Sequence, residues 1–275
     1  MNTQTIFITG ATDGIGKLTA IDLAKQNKNA AILIHGRSRN KLDKVIEEIK
    51  SVSSNPNIEG YVADFSSMDE VRYMAKDLLS KHDTIDILIN NAGAGFAAPR
   101  YGKDGTEIRL AVNYLAPFLL THLLLPAIKK AAPSRIVNVS SAGQSSIHFN
   151  DIMLEKNFDG VTAYTQSKLA LMMFTIDLAE ELKGDNVTVN ALHPGTYLDT
   201  NMVHDAGITP HGTAQSGANA EVYLATSPDL KNITGKYFNV MKESKAYAQA
   251  YDANAREHLH EIALKLTGLT EKIEI

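Results

Sequence analysis

Short apolar runs rich in β-branched residues alternate with amphipathic stretches along most of the chain. A short apolar run bounded by turn residues suits a strand buried on both faces. A longer stretch with apolar positions three and four apart suits a helix with one face inward. Strands are predicted at 5–9, 30–35, 58–63, 85–89, 135–139, 187–192 and 236–240. Helices are predicted at 15–26, 41–51, 68–80, 106–130 around Pro117, 162–182, 216–225 and 246–266. This alternation argues for an α/β fold, a doubly wound parallel sheet of about seven strands with helices on both faces. No low-complexity linker divides the chain, so residues 1–275 are read as a single domain. Two segments, 142–161 and 197–215, break the rhythm. Each follows a strand and so falls at the carboxyl end of the sheet, where open α/β folds bind ligands. The second is read as a substrate loop.

Composition narrows the possibilities. The chain has 275 residues, 44% of them hydrophobic, enough for one sizeable core. A net charge of -4 offers no basic field for nucleic acid. The absence of cysteine excludes disulfides, thiolate metal sites and a cysteine nucleophile. His148, His193 and His211 show no recognisable ligand spacing, so no metal is expected. The first residues lead directly into a strand without a signal-peptide pattern. The nearest approach to a membrane span, 110–125, is interrupted by Asn113, Tyr114, Pro117 and His122 and falls short of ~18 apolar residues. A cytoplasmic protein with neither nucleic-acid nor membrane partner is expected.

Three local patterns carry chemistry. Gly10, Thr12, Asp13, Gly14, Ile15 and Gly16 lie between the first strand and the first helix. A glycine-rich turn opening a helix presents backbone N–H groups and partial positive charge to a pyrophosphate. Dinucleotide binding is therefore expected. The second strand ends in Arg37 and Ser38, with no acid until Asp43. An NAD site places an acid here for the ribose 2′-hydroxyl, whereas a guanidinium suits a 2′-phosphate. NADP(H) is the expected cofactor, with NAD(H) as the alternative. Finally, Tyr164 and Lys168 sit four residues apart on a predicted helix and share a face. A nearby ammonium favours the phenolate and lowers the pKa of a tyrosine, which allows proton transfer near neutral pH.

Together these residues resemble the short-chain dehydrogenase/reductase superfamily, with its Rossmann-type fold, over most of the chain. The glycine turn has the Thr-Gly-x-x-x-Gly-x-Gly spacing. Asn91, Ala92 and Gly93 match the Asn-Asn-Ala-Gly element, and Asp64, followed by Phe65, matches the aspartate that contacts adenine. Pro194, Gly195 and Thr196 match the turn beside the nicotinamide. Asn113, Ser141, Tyr164 and Lys168 match the catalytic tetrad. The long stretch between Ser141 and Tyr164, and the late Leu266-Thr267-Gly268-Leu269, are similar to the retinol-dehydrogenase-like branch. The threonine that closes over the pyrophosphate falls one residue late, at Thr200. The resemblance implies that Tyr164 exchanges the proton and Ser141 holds the reacting oxygen. Lys168 would hold the nicotinamide ribose and lower the Tyr164 pKa. Asn113 would kink its helix and anchor a water.

The 197–215 loop mixes apolar residues with Asp and His and contains no Arg or Lys. An uncharged, moderately hydrophobic aldehyde, ketone or alcohol is therefore expected as the small-molecule partner. Two alternatives stay open: an NAD-linked alcohol dehydrogenase working oxidatively, and a non-catalytic nucleotide-binding regulatory protein. The tetrad helix, with 115–125, offers a face for a homodimer, while Met172, Met173 and Phe174 read as core or subunit contact.

Overall fold

A computed structural model describes residues 3–270. The strands are β1 (Thr5–Ile8), β2 (Ala31–Gly36), β3 (Ile58–Val62), β4 (Ile87–Asn90), β5 (Ser134–Val139), β6 (Val187–His193), β7 (Tyr237–Asn239) and β8 (Lys242–Ser244). Between them run α1 (Gly14–Gln26), α2 (Arg39–Ser53), α3 (Met68–Leu79), α4 (Ile108–Leu110), α5 (Ala116–Lys130), α6 (Gly160–Glu181), α7 (Asn201–Asp205), α8 (Ala214–Thr226) and finally α9 (Ala253–Thr267). The strands form one sheet in the order β3-β2-β1-β4-β5-β6-β7-β8, parallel except for the last pair.

Alternation within strands assigns the two faces. Ile6 and Ile8 point to the side of α1, α2 and α8, where they meet Ala20, Leu23 and Leu224. Phe7 points the other way, into the cluster with Tyr114, Phe118, Leu171 and Phe174. Period-two alternation explains this split, and burial of all four residues in β1 and β4 follows from having helices on both faces. Each such side chain contributes roughly 1.5–3 kcal/mol when fully buried. Strand order reverses between β1 and β4, so the crevice above their carboxyl ends is the expected ligand position.

Several elements depart from the sequence expectation. An eighth strand, β8, folds back against β7, and a short 3₁₀ turn follows at Ala248–Tyr251. The last helix therefore begins at Ala253, where Asp252 accepts from the Asn254 and Ala255 amides. A π turn at Ala111–Leu115 joins α4 to α5, so the predicted 106–130 helix is wound differently at Asn113. Within the 197–215 loop, α7 supplies a short helix.

The continuous Ile108–Lys130 helix is long and apolar enough to cross a membrane by length and composition, contrary to the sequence expectation. In this fold 78% of its apolar window is buried. Near the face expected for a homodimer, Tyr114 Oη donates to the Leu259 carbonyl at 3.4 Å and Phe118 packs edge-on to His260 of α9. Met172, Met173 and Phe174 belong to the core.

Candidate active site

The glycine turn is held from both sides. Thr9 Oγ1 accepts from the Asn91 and Ala92 amides at 3.0 Å. In return, Asn91 Nδ2 donates to the carbonyls of Thr9 at 2.8 Å and Gly10 at 3.1 Å. This stitches the end of β1 to the end of β4. A Cβ on Gly16 would lie 2.3 Å from Asn91 Nδ2, so only glycine lets α1 come this close. Gly10 and Gly14 have φ of +66° and +54°, the left-handed region that glycine enters freely. Asp13 caps α1 by accepting from the Gly14 amide at 2.7 Å. Thr12 packs its methyl against Gly36, and Ile15 packs against Gly217 of α8.

At the adenosine end, Arg37 is exposed and forms no ion pair among the described residues. Ser38 Oγ accepts from the Lys41 amide as the cap of α2, and Arg39 pairs with Asp43 at 3.7 Å. Arg37 is thus an exposed cation without an ion pair among the described residues at this end, as Lys41 is. Asp64 differs from the simplest expectation. One of its oxygens accepts from the Ser66 amide at 3.0 Å and the Ser66 hydroxyl at 2.8 Å, and the other lies 3.5 Å from Lys103. Burial pushes its carboxyl up, but the Ser66 bonds, Lys103 and Arg37 hold it below the usual range. Phe65 is buried, stacked face to face on His35, so any contact it offers a nucleotide comes from its backbone.

The four tetrad positions converge at the carboxyl ends of β4 and β5. Tyr164 and Ser141 meet at Gly143, where a Cβ would lie 3.6 Å from Ser141 Oγ and 4.0 Å from the Tyr164 ring. Lys168 is buried, donates from Nζ to the Val139 carbonyl at 2.8 Å, and lies 5.8 Å from the centre of the Tyr164 ring. A Cβ on Gly93 would be 3.5 Å from Asn113 Oδ1 and 3.6 Å from Lys168 Nζ, so Gly93 forms the floor between them. Asn113 Oδ1 accepts from the Ala94 amide at 2.7 Å, and Nδ2 donates to the Ala94 carbonyl at 3.0 Å and to Ser167 Oγ at 2.9 Å. Its side chain thereby ties the 94 loop to α6.

The electrostatics differ from the sequence reading in one respect. Burial pushes the Tyr164 phenol up, and the neighbouring Ser141 hydroxyl only partly opposes this. Burial likewise pushes Lys168 down, to about 8, while Glu221 pulls it back up. The amine is directed at the Val139 carbonyl.

The remaining wall comes from the 194–205 segment. Pro194 and Gly195 are half-buried, Thr196 is exposed, and Thr196 Oγ1 lies 3.1 Å from Nε2 of the buried His193. Tyr197 takes a φ of +47°, in the left-handed region. Thr200 still reaches the turn, its Cγ2 3.3 Å from where a Cβ on Gly14 would sit. Asn201 donates to Asp13, and Met202 covers Gly93 and Gly95.

Sequence reasoning missed several supports. Ser140 Oγ donates to the Lys168 carbonyl at 2.8 Å, and Tyr237 Oη to the Ser141 carbonyl at 3.0 Å. Phe96 stands edge-on to Tyr164 with ring centres 6.1 Å apart. The Asn-Asn-Ala-Gly motif was the only available hint of the seam in which Asn90 donates to Asn138 at 2.8 Å.

The chain is similar to known proteins in sequence and fold. The short chain dehydrogenase family matches residues 4–210. Retinol dehydrogenase 13 of Mus musculus is 35% identical over 286 residues, 97% of this chain and 84% of that protein. A crystal structure of an uncharacterized protein from Mycobacterium paratuberculosis superposes with a TM-score of 0.78 at 28% identity, covering 96% of this chain and 93% of that one. A short chain dehydrogenase from Escherichia coli CFT073 complexed with NADPH gives a TM-score of 0.68 at 25% identity, covering 87% of this chain and 97% of that one. The chain belongs to the short chain dehydrogenase family. It is an NAD(P)-dependent oxidoreductase acting on CH–OH and carbonyl groups.

Proposed function

We propose that the chain reduces an uncharged, moderately hydrophobic aldehyde or ketone with NADPH. The observation that carries this reading is the meeting of Tyr164, Ser141 and Lys168 beside a cradle that only glycine can line. The cradle fits a pyrophosphate, because α1 opens there with its partial positive charge. Arg37 would hold the 2′-phosphate, with Ser38 beside it, and Lys168 the nicotinamide ribose. The cofactor supplies the hydride. Tyr164 gives its proton to the carbonyl oxygen, and Ser141 steadies the charge developing on that oxygen. A phenol pushed up by burial is protonated at neutral pH, the form that reduction requires. Phe96 and Met202 present an apolar wall near this group, which suits a hydrophobic substrate.

Fluorescence titration with NADPH and NADH tests the cofactor assignment. Arg37→Ala is expected to weaken NADPH binding by roughly 1.5–3 kcal/mol and NADH binding far less. Equal losses would remove the 2′-phosphate assignment. Tyr164→Phe is expected to keep NADPH affinity and lose about 10²–10⁴-fold in turnover on a carbonyl panel. Undiminished turnover would refute the proton-transfer role.

A further inference from the structure

His35 lies at the end of β2, 2% exposed, and belongs to none of the motifs above. Its Nδ1 receives the Gly10 amide at 3.1 Å, and its backbone carbonyl receives the next amide, Ala11, at 2.9 Å. Its Nε2 lies 3.0 Å from the Ala63 carbonyl, at the end of β3. The ring stacks on Phe65 with centres 4.0 Å apart and planes 10° apart. One residue therefore touches the glycine turn and the β3 loop, the two segments that bound the adenosine end of the cleft.

The tautomer follows from the partners. A carbonyl can only accept, so Nε2 must carry the hydrogen. A backbone amide can only donate, so Nδ1 must be bare. A doubly protonated ring would lose the Gly10 bond. Burial pushes His35 down to about 4, while the Ala63 bond and Asp64 oppose the shift and Arg37 adds to it. Gly10 is also gripped from the other side, because Asn91 Nδ2 donates to its carbonyl. With the Gly10 and Ala11 amides spent on His35, an incoming phosphate must be met by amides further along the turn.

We infer that His35 is a positioning residue for the nucleotide: as the Nε2–H tautomer it fixes the glycine turn and the Ala63–Phe65 loop in register before the cofactor arrives. The inference rests on nucleotide binding at this turn. A core histidine that merely packs would contribute to stability alone.

Two near-isosteres separate these roles. His35→Asn keeps an acceptor for Gly10 but cannot reach Ala63. His35→Gln keeps a donor for Ala63 and loses the Gly10 acceptor. Wild-type protein is titrated with NADPH first. Absence of binding there would remove the cofactor reading itself, and this inference with it. Given wild-type binding, His35→Gln is expected to weaken NADPH about tenfold, the worth of one hydrogen bond. His35→Asn, which loses the Ala63 tie, should weaken NADPH as well, and kcat at saturating NADPH should hold within about twofold for both variants. Unchanged NADPH affinity in either variant, with or without a lowered Tm, would overturn the inference. Should either variant fail to fold, ¹⁵N spectra and amide exchange of the wild-type protein decide. A bare Nδ1, with the Gly10 amide protected before NADPH is added, supports it. An Nδ1–H tautomer, or protection appearing only with NADPH, refutes it.

Discussion

Glu221 lies wholly inside the fold, on α8, with one carboxyl oxygen accepting from Thr19 Oγ1 at 2.8 Å. The other oxygen has no hydrogen-bond partner among the described residues. Burial pushes this acid from its ordinary 4.5 up to about 8, against the pull of Thr19 and Lys168. The unfolded chain therefore gives up this proton earlier than the folded one. Glu221 contributes stability fully below pH 4.5, and that contribution is lost as pH rises through about 8. Lys168 acts in a separate window. Its folded value of about 8 is below the ordinary 10.5, so it penalises the fold below pH 8 and relieves it on the way to 10.5. Glu221→Gln keeps the shape and removes the titration. Its Tm is expected to gain on the parent between pH 4.5 and 8, and parallel Tm curves across that range would refute the assignment. At this scale the sequence was informative where chemistry is local. Tyr164 with Lys168, and Gly10 with Gly14 and Gly16, declare themselves by spacing. His35 and Glu221 do not, because Gly10 is 25 positions away from the first and Thr19 is 202 from the second.

Among the elements, the start of α4 is the most constrained. Glu107 caps it by accepting from the Arg109 amide at 3.0 Å and the Leu110 amide at 2.8 Å. The same carboxylate pairs with the Arg109 guanidinium at 2.6 Å, both side chains almost fully buried. Arg109 in turn donates to the carbonyls of Phe96, Ala98 and Pro99. One guanidinium thus shapes the loop that sets Phe96 against Tyr164. Arg109→Met would leave Glu107 charged and unpaired in the interior, a loss of about 3–5 kcal/mol. Urea denaturation measures it, and a loss under about 1 kcal/mol, the worth of a surface pair, would show the pair to be expendable. Helix and strand positions were legible because apolar periodicity records burial of a face. The π turn at Ala111–Leu115 and the strand β8 were not. The first depends on how the 94 loop grips Asn113, and the second is only three residues long.

Over the whole molecule, alternation of apolar runs and amphipathic stretches foretold a parallel sheet between two helical layers. It could not foretell that α9 returns across the π turn and α6, since the contact of Tyr114 with Leu259 spans 145 positions. The last strand has a further consequence. A parallel sheet ending at β7 would present an open row of backbone donors and acceptors to any neighbouring chain. β8 occupies that row instead, and it is short, with Lys242 and Glu243 exposed on it. Charged, three-residue edges are poor templates for a foreign strand. The hairpin therefore guards this edge against strand-to-strand aggregation while the carboxyl end of the sheet stays open.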